Sequence, residues 1–191
     1  MADSQNWPVD KRLLAGERNC MNVPGCDIGN SPVEYTSELI RGKRLFISTS
    51  NGTRALQRVE KASAVIVAAQ INRHSAVCYL LKKQPETVWL VASGREGSYS
   101  LEDSACAGAI AELLLEKKPN GINICNDEAL AALALYQQWK SNMIGLFHKS
   151  SHGQRLLKLQ CSEDLIYCSQ TDILNVLPIQ ISPGLLIKSS E

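Results

Sequence analysis

Three short polar blocks hold the residue types that could do chemistry. They read Cys26-Asp27-Ile28-Gly29-Asn30-Ser31-Pro32, Ser48-Thr49-Ser50-Asn51-Gly52-Thr53-Arg54 and Ser93-Gly94-Arg95-Glu96-Gly97-Ser98-Tyr99-Ser100-Leu101-Glu102-Asp103. Backbone amides at a helix start, a guanidinium and neighbouring carboxylates suit a phosphorylated acid and a metal ion. In the second block, Asn51, Gly52, Thr53 and Arg54 read as an anion cradle: the Thr53 amide and hydroxyl donate, and Arg54 supplies a planar fork. The same four residues read equally well as a turn and a helix cap. In the third block, Arg95 would neutralise an anion, while Glu102 and Asp103 offer hard oxygens to magnesium. Their plain alternative is to complement a helix dipole, worth about 0.3–1 kcal/mol each. Asn30, Glu17 and Asp27 are lesser site candidates.

The elements that must position these blocks follow from local pattern. Leu45 to Thr49 reads as a buried strand entering the Asn51 block, with a short helix over 53–60. Residues 63–69 (SAVIVAA) and 87–93 (TVWLVAS) read as two more apolar strands, with a helix between them from His74 to Lys83. Ser100 is a plausible N-cap for a helix to Leu115, and Asn126-Asp127 for another through Lys140. Ser151 to Leu159 reads as a further helix, and Val176 to Ile179 as an extended tail. Residues 1–12 show no pattern. Strands alternating with helices imply an α/β layered domain, in which ligands gather where strands end and helices begin.

At 191 residues with 45% apolar content, the chain suits a single domain spanning 1–191 with a sizeable core. Twenty Lys and Arg against 19 Asp and Glu leave a net charge of +1 and no dense basic run. That balance argues against nucleic acid or a membrane surface as partner. The seven cysteines are odd in number and form no Cys-x-x-Cys pair. With no signal peptide and no bilayer-spanning run, the expectation is a reducing cytoplasm.

The histidines carry less. His74 and His148 fall on helix surfaces. His152 reads as a helix-start residue before it reads as a general acid. Cys106 lies near a helix start, where a thiolate can be nucleophilic, but its Ala and Gly neighbours favour a packed thiol.

Taken together and in order, the blocks resemble the 2-phosphosulfolactate phosphatase family. The stretches that carry the likeness are Ala15-Gly16-Glu17-Arg18, Asp27 to Tyr35, Thr49 to Leu56, Gly94 to Gly97 with Ser100 to Asp103, and Cys106-Ala107-Gly108. Ser151-His152-Gly153, Cys168 to Asp172 and Val176-Leu177-Pro178 complete the set. The resemblance implies a three-layer α/β/α fold with a mixed sheet. It also implies magnesium-dependent hydrolysis of 2-phospho-3-sulfolactate, or related 2-phospho-hydroxy acids, to 3-sulfolactate and phosphate. Arg54, Arg95 and Glu102 would be catalytic, with Asn30 and Asn51 to Thr53 helping to bind substrate and Glu102 and Asp103 holding Mg2+. Members of that family begin with roughly fifty further residues that include a sheet strand, and nothing here matches them. The rival expectation is therefore an inactive relative that binds an anionic metabolite; a cysteine hydrolase using Cys106 and His152 is weaker. An exposed sheet edge would also suit a homodimer.

Overall fold

The structure, a computed structural model, describes residues 2–18 and 20–189. In chain order it contains β1 (Arg12–Arg18), β2 (Met21–Asn22), α1 (Ser37–Ile40), β3 (Arg44–Ser48), α2 (Gly52–Val59), α3 (Arg73–Lys83) and α4 (Leu101–Lys117). There follow α5 (Asp127–Trp139), α6 (Met143–Lys149), α7 (Ser151–Lys158), α8 (Ser162–Ser169), β4 (Pro178–Ser182) and β5 (Leu185–Lys188). This is an α/β fold with a mixed sheet.

The sheet has the order β2-β1-β3. β1 runs parallel to β3, pairing Leu13 with Leu45 and Ala15 with Ile47, and antiparallel to the short β2. Alternation places Leu13 and Ala15 on the buried face. β4 and β5 form a separate hairpin whose turn contains Pro183-Gly184, with Gly184 at φ 73°.

Most of the core is helical. Ala105, Ala109, Tyr136, Met143, Leu146, Phe147 and Leu165 form one buried cluster that joins α4, α5, α6 and α8. Val77, Ile110 and Leu114 form a second, between α3 and α4. α4 serves both because small residues line its α5 face: a Cβ at Gly108 would overlap the Ala132 carbonyl. Several helix starts are capped by a side chain of the preceding residue. Ser100 Oγ accepts from Asp103 N at 3.2 Å, Asn126 Oδ1 from Ala129 N at 3.0 Å, and Asn142 Oδ1 from Gly145 N at 3.0 Å.

The chain's tail is sewn back to the start of α3. Asp172 accepts from Arg73 Nε at 2.8 Å and from the His74 amide at 2.6 Å. Arg73 also donates to Tyr136 Oη at 2.7 Å, linking α3 to α5. The buried Asn72 side chain donates to the Val176 carbonyl at 2.9 Å and accepts from the Ala69 amide at 2.7 Å.

Two segments expected as strands differ. Residues 63–69 are extended, but they pair only with the tail: Val67 N donates to Pro178 O and Gln180 N to Val65 O, both at 2.9 Å, around an Ile66–Ile179 bridge. Residues 87–93 form no strand. Among the described residues no backbone–backbone hydrogen bond joins them to another segment. Leu90 alone of their large side chains packs against the second cluster, while Trp89 is 80% exposed. Apolar strand chemistry is present in both segments; what they lack is a neighbour on the open side.

Candidate functional site

A cleft of about 1690 Å3 opens between the extended segments 63–69 and 87–93, the start of α2, the first turns of α4, and α7. Small-molecule pockets are usually about 300–1,000 Å3, so a small ligand would fill only a corner of it. Its apolar lining includes Val65, Ile66, Val88, Trp89 and Ile110. Its polar lining includes Glu17, Asn30, Asn51, Gly52, Arg95, Glu102, Asp103, His152, Arg155 and Asp164.

Arg95 meets the cleft on a tight turn. Arg95 and Ser98 exchange backbone hydrogen bonds at 3.0 and 2.7 Å, with Glu96 at φ 51° and Gly97 at φ 82° between them. Two consecutive positive φ values match the twist of a two-residue hairpin. Two ties hold this turn, and a third joins the helix that follows it to α7. Gly94 N donates to Asp103 Oδ2 at 2.8 Å. Glu96 N donates to Asn51 Oδ1 at 3.0 Å, which joins the second and third polar blocks. Ser150 Oγ donates to Glu102 Oε1 and also caps α7 by accepting from Gly153 N at 2.9 Å. The first turn of α4 is thereby fastened to the start of α7. Gly153 lets α7 press this close, since a Cβ there would overlap the Phe147 carbonyl.

The expected site residues separate under this geometry. Asn30, Asn51, Gly52, Arg95, Glu102 and Asp103 all line the cleft; Thr53 and Arg54 do not. On α2 the cleft is met by Gly52, Ala55, Leu56, Arg58 and Val59, while Arg54 is exposed to solvent. Thr53 turns inward on its own helix: its hydroxyl donates to the Thr49 carbonyl at 2.8 Å and its amide to Thr49 Oγ1 at 3.4 Å.

Other expected residues are occupied locally. Asp27 accepts from Leu14 N at 2.8 Å, and Glu17 Oε1 from Cys20 N at 2.8 Å. The block from Cys26 to Pro32 is held as a turn by Glu34, which accepts from Gly29 N at 3.2 Å, and Tyr35, which donates to Gly29 O at 2.9 Å. Asp103 and Glu102 face different partners, the former toward the turn and the latter toward α7. Among the described residues no three His, Cys, Asp or Glu side chains stand where they could share an ion. Both carboxylates lie in the first turn of α4 and line the cleft, and each accepts a hydrogen bond from a different element.

The thiols are quiet. Burial pushes the Cys106 thiol up to about 12, with Asp103 adding to the effect, which sets it against a nucleophilic role. Burial also raises the Cys20 thiol; Arg155 and Arg95 pull it back down, while Glu17 pushes it up. Both guanidiniums therefore act on one point of the cleft. His74 and His148 lie exposed on helices. His152 is half-buried, lines the cleft, and has a buried Nδ1 without a hydrogen-bond partner.

The family model for 2-phosphosulpholactate phosphatase matches residues 1–183. The chain belongs to the 2-phosphosulfolactate phosphatase family. It is 61% identical over 188 residues to the probable 2-phosphosulfolactate phosphatase of Gloeothece citriformis (strain PCC 7424), covering 98% of this chain and 78% of that one. The corresponding protein of Microcystis aeruginosa (strain NIES-843 / IAM M-2473) is 59% identical over 188 residues, again 98% and 78%. That of Synechocystis sp. (strain ATCC 27184 / PCC 6803 / Kazusa) is 57% identical over 188 residues, 97% and 77%. In this family member the Ser93 to Asp103 block gathers at one cleft wall with Asn51 and α7. Arg155 carries no local motif of its own; its only sequence signal is its spacing three residues after His152.

Proposed function

We propose that the protein is a phosphoric monoester hydrolase that releases phosphate from 2-phospho-3-sulfolactate or a related 2-phospho-hydroxy acid. The observation that carries this reading is Arg95, half-buried at the cleft on a turn pinned to Asp103 and to Asn51. A guanidinium so placed binds a phosphoryl group through two parallel hydrogen bonds and faces charge as it shifts to the leaving oxygen. Because the turn is fixed before substrate arrives, little ordering is left for the reaction itself. Hydrolysis breaks the ester P–O bond and forms one to water's oxygen; the alkoxide leaves as the hydroxy acid, taking a proton.

Magnesium belongs to this reading on the family likeness: Glu102 and Asp103, which line the cleft, would supply its carboxylate oxygens, and the ion would polarise the phosphoryl group. Phosphate release should be stimulated by the ion and stopped by a chelator. The seven free thiols suit a reducing cytoplasm, the location we propose. No helix among the described residues is long and apolar enough to cross a membrane.

The test is steady-state phosphate release. Arg95→Ala should lose about 100-fold or more in kcat/KM. Arg95→Lys should recover only part of that, since an ammonium cannot supply the fork. Wild-type rates from both variants would sink the assignment. A binding-only reading has one observation behind it, the partnerless 87–93 segment along the cleft wall; thermal stabilisation by 3-sulfolactate with no phosphate release would favour it.

A further inference from the structure

Helix α7 presents two nitrogen-bearing side chains to the cleft, three residues apart and so on one helical face: His152 and Arg155. Both line the same cleft as Arg95, and the Glu102–Ser150 hydrogen bond ties the first turn of α4, the helix that follows the Arg95 turn, to the start of α7. His152 Nδ1 is buried with no hydrogen-bond partner. Such atoms are rare, because leaving one unmet costs about 1–3 kcal/mol, and here the side chain borders a cleft that a ligand could enter. Arg155 reaches the same region: it and Arg95 both act on the Cys20 thiol.

We infer that the His152–Arg155 face of α7 is a second anion subsite of the cleft, which takes the sulfonate of the substrate while Arg95 takes the phosphate. This rests on the phosphatase reading for its choice of substrate. The chemistry matches: a sulfonate offers three oxygens around one charge, enough for a guanidinium fork and an imidazole N–H together. Two cationic groups on separate elements would select a ligand with two separated anions and discriminate against one lacking the distal charge.

The test compares the wild-type chain with Arg155→Ala and Arg155→Lys on two substrates, 2-phosphosulfolactate and 2-phospholactate, which has a methyl group in place of the sulfomethyl. The expected result is that Arg155→Ala cuts the ratio of kcat/KM for the sulfonated over the plain substrate by about 10- to 100-fold. Arg155→Lys should lie between, and added guanidinium ion should partly restore the ratio for Arg155→Ala. Equal losses on both substrates, with the ratio unchanged, would overturn the subsite. Calorimetric binding of 3-sulfolactate gives a readout that needs no turnover. If the wild type releases no phosphate yet binds 3-sulfolactate, and Arg155→Ala weakens that binding about tenfold or more, the hydrolase reading fails and the subsite stands. If the folded wild type binds no 3-sulfolactate, the subsite falls whatever the phosphatase assay shows.

Discussion

Single side chains already separate the reactive from the inert in this protein. Cys78 and Cys125 are exposed, whereas burial holds the Cys106 thiol near 12 and the Cys168 thiol near 11. Alkylation by iodoacetamide at pH 8 should mark Cys78 and Cys125 first and Cys106 last, as read by peptide mass spectrometry; early labelling of Cys106 would contradict its packing. The same thiols set an alkaline limit on stability. A thiol whose folded pKa lies above its unfolded value near 9 contributes stability that is fully present below pH 9 and is lost as pH rises toward 12. Denaturation midpoints should therefore fall above pH 9, and Cys106→Ala should flatten part of that slope. Residue types alone separated these cases only in part. Cys106 reads as packed because Ala and Gly flank it, yet nothing near Arg54 in sequence reveals that it lies off the cleft wall while Arg58, one turn on, lines it.

At the scale of elements, what could be read locally was read and what needed a partner was not. Ser100, Asn126 and Ser151 mark helix starts in the sequence, and α4, α5 and α7 begin within a residue of them. Capping is a contact over three residues, so a short window contains it. α8 goes unmarked because it has no side-chain cap and is held by burial in the first cluster, which no window shows; α6 has its cap at Asn142 but runs for only seven residues. β1 escaped because its apolar core, Leu13 to Gly16, is brief and flanked by charge. The hairpin of β4 and β5 did leave a signal, Pro183-Gly184. Asp172 is the clearest tie between elements, since one carboxylate joins the tail to the first turn of α3. Asp172→Ala leaves Arg73 short of its partner and should cost about 1–3 kcal/mol in urea denaturation. Asp172→Asn should cost less, because an amide oxygen still accepts from the His74 amide.

For the whole molecule, the decisive feature is where strand edges face open space. β3 ends the sheet on one side, segment 63–69 is paired on one side only, and 87–93 carries an exposed Trp89 and Val91. Flat apolar edges add strands from other chains unless something covers them. The chain should therefore self-associate with rising concentration in size-exclusion chromatography with light scattering. Trp89→Lys should shift it toward monomer; a wild type that stays monomeric at high concentration would contradict this.

The bond from Glu96 to Asn51, which holds the Arg95 turn, and the bond from Glu102 to Ser150, which holds the helix after it, close loops of 45 and 48 residues. Contacts between positions so far apart form slowly, because chain entropy must be given up before either bond exists. During synthesis, the second tie cannot close until Ser150 has left the ribosome, well after Glu102 has emerged. The cleft wall is thus assembled late relative to the turn it supports, and a nascent chain that ends before Ser150 carries no finished version of it.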